Sequence, residues 1–153
     1  MAIQSTQYAG VVGVPRVKVR PADNGNSEKT IFATTPTTYA AQAVNEIFDL
    51  GFIPAGSRIM PFSKVECAAG AASSTLSIGL RSAATGTVIS ATQIASGVNL
   101  TAAGVKDANN GAGFAGTGYV TTEDVIAYGT FTGATNTANQ AISVYLSYVP
   151  ASA

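Results

Sequence analysis

Asp49-Leu50-Gly51-Phe52-Ile53-Pro54-Ala55-Gly56-Ser57-Arg58-Ile59 decides how the rest of the chain is read. Apolar, strand-like residues run into it from Val44 to Leu50 and leave it from Ile59 to Val65. Between them Pro54 fixes φ and lacks an N–H, and Gly56 tolerates positive φ, so the chain is expected to turn a β-corner. Phe48, Leu50, Ile53, Ile59 and Phe62 are the core residues this reading predicts.

Downstream, the period-2 alternation of half-buried strands recurs. Thr75-Leu76-Ser77-Ile78-Gly79-Leu80 places Leu76, Ile78 and Leu80 on one face. Thr85-Gly86 is a turn before a strand at Thr87-Val88-Ile89-Ser90, and Val98-Asn99-Leu100 is a short apolar piece. Residues 101–118 read as one Gly/Ala/Asn-rich loop, long enough to imply an interaction or packing role. Val125 to Phe131 is a strand. Ala141 to Val149 closes the chain, with Ile142, Val144, Leu146 and Tyr148 sharing a face. No helix follows any strand, so the pattern predicts an all-β, antiparallel sandwich or jelly roll over residues 37–153.

Upstream the reading is less uniform. Residues 37–50 fit a helical face through Ala40, Ala43, Val44, Ile47 and Phe48, with Thr37 or Thr38 as N-cap. They also fit a strand, which the β-rich flanks favour. Residues 1–36 are expected to form an extended N-terminal arm dispensable for folding, broken by Gly and Pro. Within it Arg16-Val17-Lys18-Val19-Arg20 alternates three cations with two valines. In an extended segment these occupy opposite sides. Arg16, Lys18 and Arg20 read first as the cations of a solvated edge strand; they are also the candidate partner contacts, to an acidic protein surface before nucleic acid.

Composition narrows the function classes. The 153 residues suit one domain. Only 10% are charged, against ~25% in an average soluble domain, which fits a subunit packed into an assembly. Eight cations balance eight acids, so the basic excess of a nucleic-acid binder is missing. No aromatic residue interleaves the basic stretch, so single-strand stacking is not expected either. There is no histidine, and Cys67 is the one cysteine, which removes the usual zinc sites and any intrachain disulfide. Cys67 reads as a small buried hydrophobe. No apolar run is long enough for a membrane helix, and residues 1–6 lack a signal-peptide pattern, so synthesis in a cytoplasm is expected. Gly111-Ala112-Gly113-Phe114-Ala115-Gly116 matches G-x-G-x-x-G. The strand and helix that motif needs do not flank it, so it is not read as a phosphate site. Glu123 and Asp124 are neighbours that a strand would point to opposite faces, hence no catalytic pair. No enzyme activity, cofactor or metal is expected.

Leu50-Gly51-Phe52-Ile53-Pro54-Ala55-Gly56-Ser57-Arg58-Ile59, Ser74 to Gly79 and Ile142 to Val149, in that order, resemble the capsid decoration (cement) proteins of tailed bacteriophages, which have a jelly-roll fold. The resemblance implies a non-enzymatic virion protein on the capsid surface, a homo-oligomer (a trimer) seated on the major capsid protein, with no catalytic residues to carry over. The same pattern also fits a phage tail or head-fibre subunit, or a small jelly-roll capsid protein. A carbohydrate-binding sandwich is a remote alternative, since such modules stack sugars on exposed aromatics, usually Trp, and this chain has none.

Overall fold

The computed structural model describes Ile3–Gln4, residues 28–116 and residues 118–151. The strands are β1 (Ile3–Gln4), β2 (Lys29–Thr34), β3 (Ile47–Ile53), β4 (Arg58–Ile59), β5 (Lys64–Cys67), β6 (Thr75–Ser82), β7 (Val88–Asn99), β8 (Gly104–Asp107), β9 (Tyr119–Val120), β10 (Val125–Thr132) and β11 (Ile142–Val149). A single 3-10 turn, Ala112–Phe114, lies between β8 and β9, and no α-helix occurs among the described residues.

One sheet runs β1-β3-β10-β6-β7, with β1 parallel to β3 and the other pairs antiparallel. In the other, β4 and β5 lie end to end along one side of β11, continued outward by β9 and β8, while β2 pairs along its other side. That sheet is therefore four positions wide: β2, β11, β5/β4, β8/β9. Apart from the step from β6 to β7, each connection between these positions crosses from one sheet to the other. This is the jelly roll expected from the alternation.

The corner at Pro54-Ala55-Gly56-Ser57 makes one of those crossings, from β3 to β4. Gly56 takes φ 78°, a left-handed conformation that favours glycine. The loop before β10 holds the corner in place. Gly56 N donates to Thr121 O at 2.7 Å, Thr121 Oγ1 donates to Pro54 O at 2.9 Å, and Ala55 N donates to Asp124 Oδ1 at 2.8 Å. Glu123 points elsewhere and accepts from Ser82 Oγ at 3.0 Å, so the two adjacent carboxylates have separate structural partners.

The core lies between the sheets. Phe48, Leu50, Ile53, Ile59, Leu76, Ile78, Leu80, Ile142, Val144 and Leu146 are all buried in it, and Tyr148 packs partly buried against it. Full burial of each such side chain stabilises by ~1.5–3 kcal/mol. Cys67 is buried there too, but its thiol is not merely apolar: Sγ accepts from Lys106 Nζ at 3.1 Å and donates to Ala102 O at 3.5 Å.

Several expectations need correction. Phe62 is 57% exposed rather than buried. Ile59 to Val65 is not one strand: Met60 N still pairs with Ser147 O, but Pro61 brings no N–H, and pairing resumes at Lys64. Of residues 37–50, read as strand, only Ile47 onward is strand: residues 37–46 are irregular, with Val44 exposed and Asn45 at φ 76°. Residues 101–118 contain β8, formed by pairing with β5 rather than by its own weak β-propensity. Lys29–Thr34, inside the stretch read as an arm, is a strand of the sheet, with Ala33 fully buried.

The segment before β3 is held by polar groups. Tyr39 Oη donates to Gln140 O at 2.7 Å and accepts from Asn136 Nδ2 at 3.1 Å. Gln140 Nε2 donates to Ala68 O and Leu100 O at 2.8 and 2.9 Å. Burial raises the Tyr39 phenol above its ordinary pKa, opposed by its hydrogen bonds to Asn136, Thr35 and Gln140.

Candidate interaction surface

The two sheets present different outer faces. On the β3-β10-β6 sheet the outward residues Asp49 and Tyr128 are 3% exposed, and Ser77 is buried as well. Strand β7 contributes to this cover: between its register points Ser90 and Ala95 it bulges, and a Cβ on Gly79 would overlap the Ser90 and Ala91 backbone. On its other side the bulge is met by the 3-10 turn. A Cβ on Gly111 would overlap the backbone of Thr92, Gln93 and Ile94, and Gly111 N donates to Ile94 O at 2.9 Å. The first glycine of the G-x-G-x-x-G match is thus explained by close backbone packing.

The outer face of the other sheet is open. Antiparallel register sets Phe32, Tyr145, Lys64 and Asp107 in one cross-strand row and Thr34, Ser143, Glu66 and Val105 in the next. Phe32 is 40% exposed and Val105 60%. The Phe32 and Tyr145 rings lie tilted with centroids 5.0 Å apart, a favourable aromatic geometry. Tyr145 Oη donates to Glu66 Oε2 at 3.2 Å, and Lys64 pairs with Asp107 across the strands. Desolvation, then the Glu66 hydrogen bond and charge, raise the Tyr145 phenol above its ordinary pKa. Beside this face, Arg58, Ile59, Met60, Pro61, Phe114, Gly116 and Gly118 line a hollow that gathers no acid or nucleophile.

The face combines apolar and charged groups. It offers apolar area, two carboxylates and one ammonium. Among the described residues no group of three or more His, Cys, Asp and Glu side chains could hold a metal ion. Arg16, Lys18 and Arg20, the contacts picked from the sequence, lie outside the described residues. Sequence reasoning missed the open face, because its rows are assembled from β2, β11, β5 and β8, which lie far apart in the chain. The alternation of Lys64 and Glu66 with buried Val65 and Cys67 was the available signal.

The fold defines a jelly-roll protein. No protein-family model and no curated protein matches the chain. Among solved structures it is similar to a chain in the capsid of Ralstonia phage GP4, at TM-score 0.67 and 19% identity, covering 100% of both chains. It is also similar to a chain in the capsid asymmetric unit of cyanophage Pam1, at TM-score 0.50 and 12% identity, covering 90% of this chain and 95% of that one. At these identities the likeness is one of fold.

Proposed function

We propose that this protein is a non-enzymatic virion component that decorates a tailed-phage capsid from outside and cements it. It acts as a homo-oligomer, a trimer, seated on the major capsid protein, and is made in the host cytoplasm. The observation that carries the reading is the end-to-end likeness to a chain of a phage capsid, which covers 100% of both chains. A charge-poor composition and an open sheet face support extensive protein contacts. Arg16, Lys18 and Arg20, in the segment before β2, act as partner contacts. The mechanism is mechanical: a ligand that binds only the intact shell stabilises that shell by mass action.

A mass-spectrometric inventory of purified virions, with copy numbers, tests this. Decoration predicts many copies per head, removable without dissolving the shell. Loss of the shell together with the protein would instead favour a shell-forming jelly-roll subunit, and copies confined to tails would favour the tail or fibre reading.

A further inference from the structure

We infer that the outward rows of the β2-β11-β5-β8 sheet are a receptor for the cationic stretch Arg16–Arg20 of a second copy of this chain. The inference names the self-contact of the oligomer proposed above, and it is separable from the contact to the capsid.

The chemistry of the face comes first. The Phe32–Tyr145 ring pair is flanked by Glu66, which Tyr145 Oη already orients, and by Asp107. Lys64 is the one cation in these two rows and is engaged by Asp107. Two carboxylates thus face one ammonium beside the exposed Phe32 ring and the half-buried Tyr145 ring. A guanidinium fits such a place, since it can stack on a ring while its N–H groups bond a carboxylate.

The distribution of charge in the chain supplies the occupant. Residues 1–27 hold three cations (Arg16, Lys18, Arg20) against one acid, Asp23. The remaining residues hold five cations against seven acids. The neutral chain is therefore a negative body preceded by a positive segment, and each is complementary to the other.

Reach and exposure allow a second copy. Residues 5–27 connect Gln4, paired at β3, to the start of β2. At ~3.3–3.6 Å per residue, a loop of this length running out and back extends at most ~40 Å. A folded chain of this size has a radius of gyration of ~15 Å, so a neighbour's sheet is within reach. Phe32 and Val105 stand open, so the face is accessible to a neighbour.

The test uses the full chain as an equal mixture of unlabelled and 15N-labelled protein, cross-linked with a zero-length carbodiimide and digested for mass spectrometry. The expected result is Lys18 joined to Glu66 or Asp107 with light peptides linked to heavy ones. Lys64–Asp107 should appear as same-label pairs, an internal control. In sedimentation, Arg16→Glu/Lys18→Glu/Arg20→Glu alone and Glu66→Lys/Asp107→Lys alone should each weaken self-association roughly tenfold or more, and mixing the two variants should recover part of it, since a ring of three keeps one mismatched contact. Should the lysine pair fail to fold, Glu66→Gln/Asp107→Asn replaces it and should weaken association in the same direction. Lys18 cross-links confined to one chain, a monomer at the cross-linking concentration, or a mixture that fails to recover association (a neutral pair without effect, where that pair is used) would each overturn the inference. An oligomer held by this contact that does not bind capsids would leave the inference standing and remove the cement reading; capsid binding by a chain that forms no such cross-link would do the reverse.

Discussion

Arg81 on β6 reaches across β10 to Asp49 on β3, placing Nη2 at 2.8 and 2.9 Å from the two carboxylate oxygens. The Asp49 side chain is 5% exposed and that of Arg81 23%, so the pair is largely removed from water. Removing one partner leaves a buried charge uncompensated. Arg81→Met is expected to destabilise by ~3 kcal/mol. Asp49→Asn/Arg81→Met together should lose clearly less than the sum of the single changes, as a double-mutant cycle in urea would show.

Gly79 is where β7 bulges across β6. Gly79→Ala forces a Cβ into the Ser90 and Ala91 backbone and is expected to cost ~1–3 kcal/mol. Gly116→Ala is the control, since nothing lies within 4 Å of a Cβ there. Thermal melts of the two variants should separate clearly, with Gly116→Ala near the parent.

Alkaline pH should unfold the protein through its tyrosines. Tyr39, Tyr128 and Tyr148 all have phenols raised by burial, so the unfolded chain ionises first as pH rises. A raised folded pKa means that the contribution is fully present below the unfolded value of about 10 and is lost as pH climbs through the folded value. Melting temperature should fall above that pH, and Tyr39→Phe should flatten the fall. A Tyr39→Phe profile parallel to the parent's would show that the Tyr39 phenol contributes nothing to it.

β2 makes the first 36 residues unequal. Deleting residues 1–36 removes Lys29–Thr34 and strips the side of β11 that it covers, with Ala33 leaving the core. That variant is expected to lose cooperative unfolding, whereas deletion of residues 1–27 should keep it. Circular dichroism melts of the two truncations make the comparison, and a cooperative 37–153 fragment would show that β2 is dispensable.

The legible parts of this fold were those where local pattern and tertiary role agree. Leu76, Ile78 and Leu80 alternate without interruption, and their strand lies centrally between β10 and β7, so periodicity alone located the core face. Phe62 misled because an aromatic residue after a proline still reads as apolar alternation, while Pro61 ends the pairing. β8 and the middle of β7 were invisible because Ala, Gly, Ser and Thr carry little periodic signal; β8 becomes strand by pairing with β5, and β7 is held by β6 on either side of its bulge. The open face is a property of register, which the sequence of any one strand does not hold.

The central claim is reinforcement of a shell. Phage capsids stripped of this protein should release their genome at lower temperature than decorated ones, and purified protein added back should restore the release temperature in a saturable way. Stripped and decorated capsids that release at the same temperature, with added protein making no difference, would contradict it.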